Sequence, residues 1–276
     1  MENNHAPYWG KPTANINWCE PDYVHSPYIA ETFNTFSNLV YLFVAISGFL
    51  RIFRSVPKES SISRIDLLRF YILHLCAVAV FIGSSLFHAT LLKQCQLMDE
   101  LPMLYSTFCG IYCFIYVNDR VEKSHYRLLV ISICVVFCGM LTFMMIYWPN
   151  IYAPFIISFA VLLSLCNLFI CRYAFKTKAS GVRTDIEKKK LILWGAYMVS
   201  LITALFVWST DNAFCGYVQK LHLHSFWHLF SSMALSYMYD FFFIIYLDEN
   251  NIPFTIEGNV LFLPRYSILD TEKKNK

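Results

Sequence analysis

Long apolar stretches punctuated by short polar ones dominate the chain. No Asp, Glu, Lys or Arg occurs from Thr32 to Leu50, Phe70 to Leu92, Leu101 to Asn118, Leu128 to Cys171, Leu191 to Thr210, or Leu221 to Tyr239. Roughly 20 apolar residues span a bilayer as a helix. The run from Leu128 to Cys171 is long enough for two spans, and Trp148-Pro149-Asn150 breaks it near the middle. The pattern predicts an all-α membrane protein, a bundle of seven transmembrane helices near residues 32–53, 67–89, 95–117, 127–147, 151–173, 191–210 and 223–247. No repeat or low-complexity segment divides it, so residues 1–276 read as one domain. Short polar tails precede about residue 28 and follow about residue 248. The first ~30 residues lack the basic start and apolar core of a secretory signal, so the first span is expected to direct insertion itself.

Composition agrees with this picture. Of 276 residues, 57% are hydrophobic and 15% charged, against roughly 25% charged in soluble domains. Charge then orients the bundle, because Lys and Arg accumulate on the cytosolic side. The N-terminal tail and the loops after spans two, four and six hold three basic residues: Lys11, Lys93 and Lys220. The opposite segments hold the other 19 of the 22. The N-terminus is therefore expected in the lumen and the C-terminus in the cytosol, in an endoplasmic reticulum or Golgi membrane. The net charge of +3 comes from these loops and calls for no nucleic-acid partner, and no obligate protein partner is inferred.

Ionisable groups inside a membrane are costly and mark function. Ser84 and His88 lie four residues apart near the end of span two and share a helix face. Asp99 and Glu100 open span three. His224 and His228, again four apart, open span seven. The topology puts all of them in the leaflet away from the cytosol. Catalytic zinc commonly takes three protein ligands plus water, and His88, His224 and His228 fit that role. Asp99 could orient the water and move its proton, and Ser84 could donate to an oxyanion. Plainer readings compete. Gly83-Ser84-Ser85 could simply allow close helix packing, and Asp99 and Glu100 could be acidic residues at a helix N-terminus, with Pro102 in the first turn. No H-E-x-x-H is present. His5, His25 and His125 fall in tails or loops and His74 in the cytosolic half of span two. His222 lies two residues before His224, on another side of the helix.

A second polar cluster comprises Asn17, Trp18, Glu20, Asp22 and Glu31. Three carboxylates and an amide make a hard-cation site possible, since calcium takes 6–8 oxygen ligands; a solvated acidic tail is the competing reading. Glu31, Asn34 and Asn38 form a polar stripe that should face the bundle interior. Most of the ten cysteines lie inside spans. Cys19 and Cys215 both fall on the oxidising side, where a disulfide can persist, although sequence alone does not fix the pairing.

Taken together these residues resemble the alkaline ceramidases, seven-span enzymes in a wider group that includes the adiponectin receptors. The resemblance runs through Tyr8-Trp9-Gly10, Asn17-Trp18-Cys19-Glu20, Asn34-Thr35-Phe36-Ser37-Asn38, Gly83 to Leu91, Gln96 to Pro102, Trp208 to Cys215 and His224-Ser225-Phe226-Trp227-His228. It covers nearly the whole chain. It implies hydrolysis of the amide of a ceramide-type lipid to sphingosine and a fatty acid by a zinc-activated water. By position it implies zinc on His88, His224 and His228, catalytic roles for Ser84 and Asp99, and calcium on Asn17, Trp18 (through its carbonyl), Glu20, Asp22 and Glu31. It also implies a bridge between Cys19 and Cys215. One departure stands out: where the family pattern has Asp then Asn among the calcium ligands, this chain has Asn17 and Asp22. Two other classes stay open at this level. One is a receptor-like protein with a structural zinc. The other is a metal transporter, which the gathering of ionisable groups in one leaflet disfavours.

Overall fold

The computed structural model describes residues 5–57, 62–117, 124–148, 152–179 and 184–269. Helices α1 (Thr32–Ser37) and α2 (Leu39–Ser55) form the first rod. It is followed by α3 (Arg64–Thr90), α4 (Lys93–Ile115), α5 (Ser124–Tyr147), α6 (Ala153–Ala179) and α7 (Asp185–Ala213). A short α8 (Cys215–Val218) and a 3₁₀ turn lead into α9 (Leu223–Glu249). Strands β1 (Phe254–Glu257) and β2 (Arg265–Ile268) close the described chain as an antiparallel hairpin, with Glu257 opposite Arg265.

Among the described residues, six helical segments are long and apolar enough to cross a membrane: Thr32–Ser55, Asp66–Thr90, Arg127–Tyr147, Ala153–Ala179, Asp185–Ala213 and Leu223–Glu249. The third predicted span is helical as α4 but is not among the six. Gln94, Gln96, Asp99, Glu100, Ser106 and Thr107 dilute its apolar character, and several of these are buried in the bundle. Pro149 and Asn150 of the predicted break lie outside the described residues, as does the tail from residue 270.

Helix ends follow local chemistry more than the apolar runs do. Thr184 caps α7 with a reciprocal capping box to Glu187, which satisfies otherwise orphaned N–H groups and starts the helix before its apolar run. Between α1 and α2 the polar stripe breaks the rod at Asn38. Asn38 Nδ2 and Ser37 Oγ both donate to the Asn34 carbonyl, at 2.9 and 3.0 Å, competing with the backbone ladder.

Helix α9 is the central element. Every residue from Met238 to Leu247 is buried, as expected of a helix apolar on nearly every side, and Asp240 within that stretch is paired with Arg51. It packs along α7 and against α2, while α3 packs along α4. Phe70, Leu73, Leu193, Phe243 and Ile244 form the middle of the largest core cluster. At one end of the bundle the hairpin closes that core with Phe254, Ile256 and Tyr266. The other end carries the polar residues singled out above.

Candidate active site

The close contact of α3 with α4 is set by Gly83 and Pro102. A Cβ on Gly83 would strike the backbone carbonyl of Met98. Pro102 lies inside α4 and has no N–H to offer that carbonyl one turn back. The packing reading of Gly83-Ser84-Ser85 therefore holds for Gly83. The helix-terminus reading of Asp99, Glu100 and Pro102 is corrected, because α4 starts at Lys93 and all three lie beyond its first turn. The dipole of a helix end acts within that turn, so it does not account for Asp99. The contact instead brings Ser84 within hydrogen-bonding reach of the Asp99 carboxyl.

The three histidines converge. One ring nitrogen from each of His88, His224 and His228 lies within 4.8 Å of the others, and all three residues are buried. Ring centroids are 5.0 Å apart for His88–His224, 5.0 Å for His88–His228 and 4.7 Å for His224–His228. Each ring is held from outside. His88 Nδ1 hydrogen-bonds the Glu31 carboxylate. His228 Nδ1 pairs with Ser37 Oγ at 2.7 Å. The His224 ring stacks on Trp18, with centroids 3.7 Å apart. Partners of this kind fix the ring orientation of metal-binding histidines. His88 Nε2 and His224 Nδ1 remain buried with no hydrogen-bond partner. Buried polar atoms are nearly always paired, so two orphaned imidazole nitrogens in a group of three converging histidines fit a bound metal, and the all-imidazole donor set suits zinc.

His222 is the left-handed residue before α9, at φ 47°, and its ring stacks on Phe33. It stands outside the histidine group, as the helix geometry predicts. His74 lies elsewhere, with its Nδ1 bonded to the Phe70 carbonyl and its ring filling the space beside Gly48.

A cavity of about 40 Å³ is lined by Ser84, Asp99, Glu100, His224 and His228, with Trp18 and Trp208 among its walls. Tyr41, Val80, Met103 and Trp227 also border a second, apolar cavity of about 70 Å³ that reaches deeper, to Cys166, Tyr197 and Met238. Sequence reasoning missed Tyr41, Ser37, Trp208 and Trp227 as parts of this site, and gave Trp18 a role only toward calcium. Only the i, i+4 spacing of Ser37 and Tyr41 hinted at a shared face. Tyr41 and Ser231 hydroxyls are 2.6 Å apart, which fixes the wall between the two cavities.

The N-terminal segment folds over this end. Glu20 accepts from the N–H groups of Phe33 and Asn34, at 2.8 and 2.9 Å, and so caps α1. Glu31 accepts from the Trp18 N–H at 3.1 Å and from Asn34 Nδ2 at 3.2 Å, besides its bond to His88. Asn17 donates to Asp22 Oδ2 at 2.9 Å, and Asp22 Oδ1 is buried without a partner. Burial pushes the carboxyl pKa of Glu20 and of Asp22 above its ordinary value, against the hydrogen bonds each accepts. Cys19 is bonded to Cys215, with Cα atoms 5.2 Å apart. Buried Asp211 accepts the Cys19 N–H at 3.1 Å and the backbone N–H of His224, tying segment, bridge and α9 together.

Similarity to known proteins decides the family. A family model described as Ceramidase matches residues 10–256. The chain belongs to the ceramidase family. Alkaline ceramidase of Arabidopsis thaliana is 29% identical over 245 residues, covering 84% of this chain and 84% of that protein. Alkaline ceramidase 3 of Mus musculus is 25% identical over 251 residues, covering 85% and 84%. Alkaline ceramidase 1 of Mus musculus is 27% identical over 232 residues, covering 82% and 77%. The match to the family model runs from the N-terminal segment through both histidine-bearing helices to β1.

Proposed function

We propose that this membrane protein hydrolyses the amide bond of ceramide, releasing sphingosine and a fatty acid. The observation that carries the proposal is the pair of orphaned ring nitrogens on His88 and His224, beside a cavity that also holds Ser84 and Asp99, in a chain of the ceramidase family. His88, His224 and His228 hold zinc. When bound, zinc supplies a Lewis acid for the amide carbonyl and lowers the pKa of water to about 7. Asp99 takes a proton from the attacking water on its carboxylate oxygen. It returns that proton to the amide nitrogen as the C–N bond breaks. Ser84 turns its O–H from Asp99 toward the oxygen on which charge develops. Trp18, Trp208 and Trp227 limit the access of bulk water. One hydrocarbon chain of the substrate lies along the apolar cavity toward Cys166 and Met238. Both cavities are small, so a chain enters by displacing side chains.

Residues 1–276 act as one seven-span domain, with α4 as the third span. Residues 1–31 lie in the lumen and the tail from 248 in the cytosol of an endoplasmic reticulum or Golgi membrane. The asymmetry of Lys and Arg supports this orientation. The segment bearing Asn17, Trp18, Glu20, Asp22 and Glu31 binds calcium. The orphaned Asp22 Oδ1 supports that reading, as does the crowding of carboxylates: on top of burial, the charge of Glu31 raises the pKa of Glu20 and the charge of Asp22 raises that of Glu31.

The test is sphingosine release from a panel of labelled ceramides by purified protein with calcium present, compared with His224→Ala and Asp99→Asn. Release by the wild type alone supports the reading. No release by folded, zinc-loaded wild type sinks it in favour of a receptor-like protein with a structural metal. Full turnover by Asp99→Asn removes the proton-transfer role.

A further inference from the structure

At the end of the bundle away from the histidines, α2 and the β-hairpin enclose an open groove of about 680 Å³. Arg51, Arg54, Leu50, Glu257, Leu263 and Arg265 are among its lining residues. Arg51 is the informative one. Its side chain is 10% exposed, and Nη2 alone reaches Asp240, at 2.9 and 3.0 Å from the two carboxylate oxygens. Its Nε is buried with no partner. A guanidinium is a fork whose donors match the oxygens of a phosphate, and leaving one donor buried and unpaired is costly. Arg54 follows three residues later on the same helix, and Arg265 opens β2 across the groove. Asp240 offsets Arg51. Beside Arg54 and Arg265 the lining holds one carboxylate, Glu257, which stands opposite Arg265 in the hairpin. The groove keeps a positive excess.

We propose that this groove binds the phosphate headgroup of an anionic phospholipid. Three features favour a lipid over a soluble phosphate. The groove adjoins Ser55, where the first apolar span ends. Leu50 and Leu263 give it an apolar wall beside the arginines. Leu263 and its neighbour Phe262 are exposed, at 52% and 75%, as suits a hairpin tip resting on acyl chains next to a headgroup. Basic pockets at membrane-helix ends attract such lipids through the same phosphate chemistry. The bound headgroup fastens α2 to the hairpin that covers the core beneath α9. The proposal stands on residues remote from the histidine site and is independent of the hydrolase reading.

The test uses full-length protein in nanodiscs of phosphatidylcholine containing a minority of phosphatidic acid. Retained lipid is counted by native mass spectrometry after extraction into detergent. Wild type is compared with the double variant Arg54→Gln, Arg265→Gln, which leaves the Arg51–Asp240 pair intact. Removing two charge-assisted hydrogen-bond partners is expected to lower retained phosphatidic acid ~10-fold or more. An unchanged melting temperature in pure phosphatidylcholine discs would show that the variant is folded. Equal retention by both proteins overturns the proposal, as does phosphatidylcholine held as tightly as phosphatidic acid. Displacement by inorganic phosphate at millimolar concentration overturns the lipid as occupant. If the double variant melts early, Glu257→Gln provides the second arm: retention should rise, and a fall would count against the site.

Discussion

The two ends of the bundle solve the same problem in opposite ways. Both bury ionisable side chains in an apolar helical bundle, where unpaired charge is expensive. Away from the histidines the solution is pairing: Arg51 with Asp240, Lys190 with Asp248 at 2.5 Å, and Arg69 with the Tyr116 carbonyl at 2.5 Å. At the histidine end, partners approach from outside and stop one atom short. Glu31 and Ser37 occupy Nδ1 of His88 and of His228, while Nε2 of His88 and Nδ1 of His224 have no partner. A buried charge held by its counter-ion keeps helices in register, even where one donor, Arg51 Nε, is left over. A buried cluster with convergent unsatisfied donors has been kept for something else, and a metal is the group that satisfies three imidazoles together.

If the far end is structural, breaking its ion pair should cost stability and leave the chemistry alone. Asp240→Asn leaves the Arg51 charge without its counter-ion, and a loss of about 3–5 kcal/mol is expected. Thermal or denaturant unfolding in one detergent would measure it, and zinc content of the folded fraction should not change. A Asp240→Asn protein as stable as wild type would erase the contrast.

The histidine end should respond in the reverse manner. Gly83→Ala places a Cβ against the Met98 carbonyl and pushes α4 outward, parting Ser84 from Asp99. Misplacement of about 1 Å can cost ~100-fold in rate. That loss should fall on turnover, with zinc retained, because the histidines sit on α3 and α9. Loss of zinc together with rate would show that the α3–α4 contact also holds the metal.

Ser37→Ala sharpens the account further. It removes the hydroxyl from His228 Nδ1 and leaves all three rings in place. Outer partners of metal-binding histidines are worth about 10–100-fold in affinity. Zinc affinity by competition with a chelator should fall ~10-fold, the lower end, because a hydroxyl carries no charge. No change would remove Ser37 from the site.

The smallest expected effect concerns the N-terminal segment. Burial raises the carboxyl pKa of Glu20 and Asp22, so each keeps its proton to higher pH than an exposed carboxyl. A cation that binds there must expel those protons. Calcium affinity should therefore rise as pH increases from about 4 upward and level off once both groups are ionised. Calorimetric titration across that range checks it; affinity independent of pH would separate calcium from these two residues.

Much of this molecule is written in its hydrophobic runs. Each predicted span is helical over nearly all its described residues. For six of them the reason is that ~20 largely apolar residues have few alternatives in a bilayer, whereas α4, with Asp99 and Glu100, owes its place to packing against α3. The residue pairs Ser84–His88 and His224–His228 were legible for a related reason: four-residue spacing fixes a shared face whatever the tertiary context. Less visible were features of mixed character. The helix ends beyond the apolar runs depend on caps such as Thr184. The β-hairpin from Phe254 to Ile268 has four-residue strands, too short for alternation to announce.

Sequence by itself thus determined the helices, the end of the bundle where polar groups gather, and which side chains share a face. Only the tertiary structure decided that His88 reaches His224 across about 136 residues, that Glu31 and Ser37 turn toward histidine nitrogens, and that Gly83 lets Ser84 meet Asp99. Local periodicity acts over a turn or two and is carried by neighbouring residues. Convergence depends on how whole helices pack, and packing is settled by contacts between residues far apart in the chain.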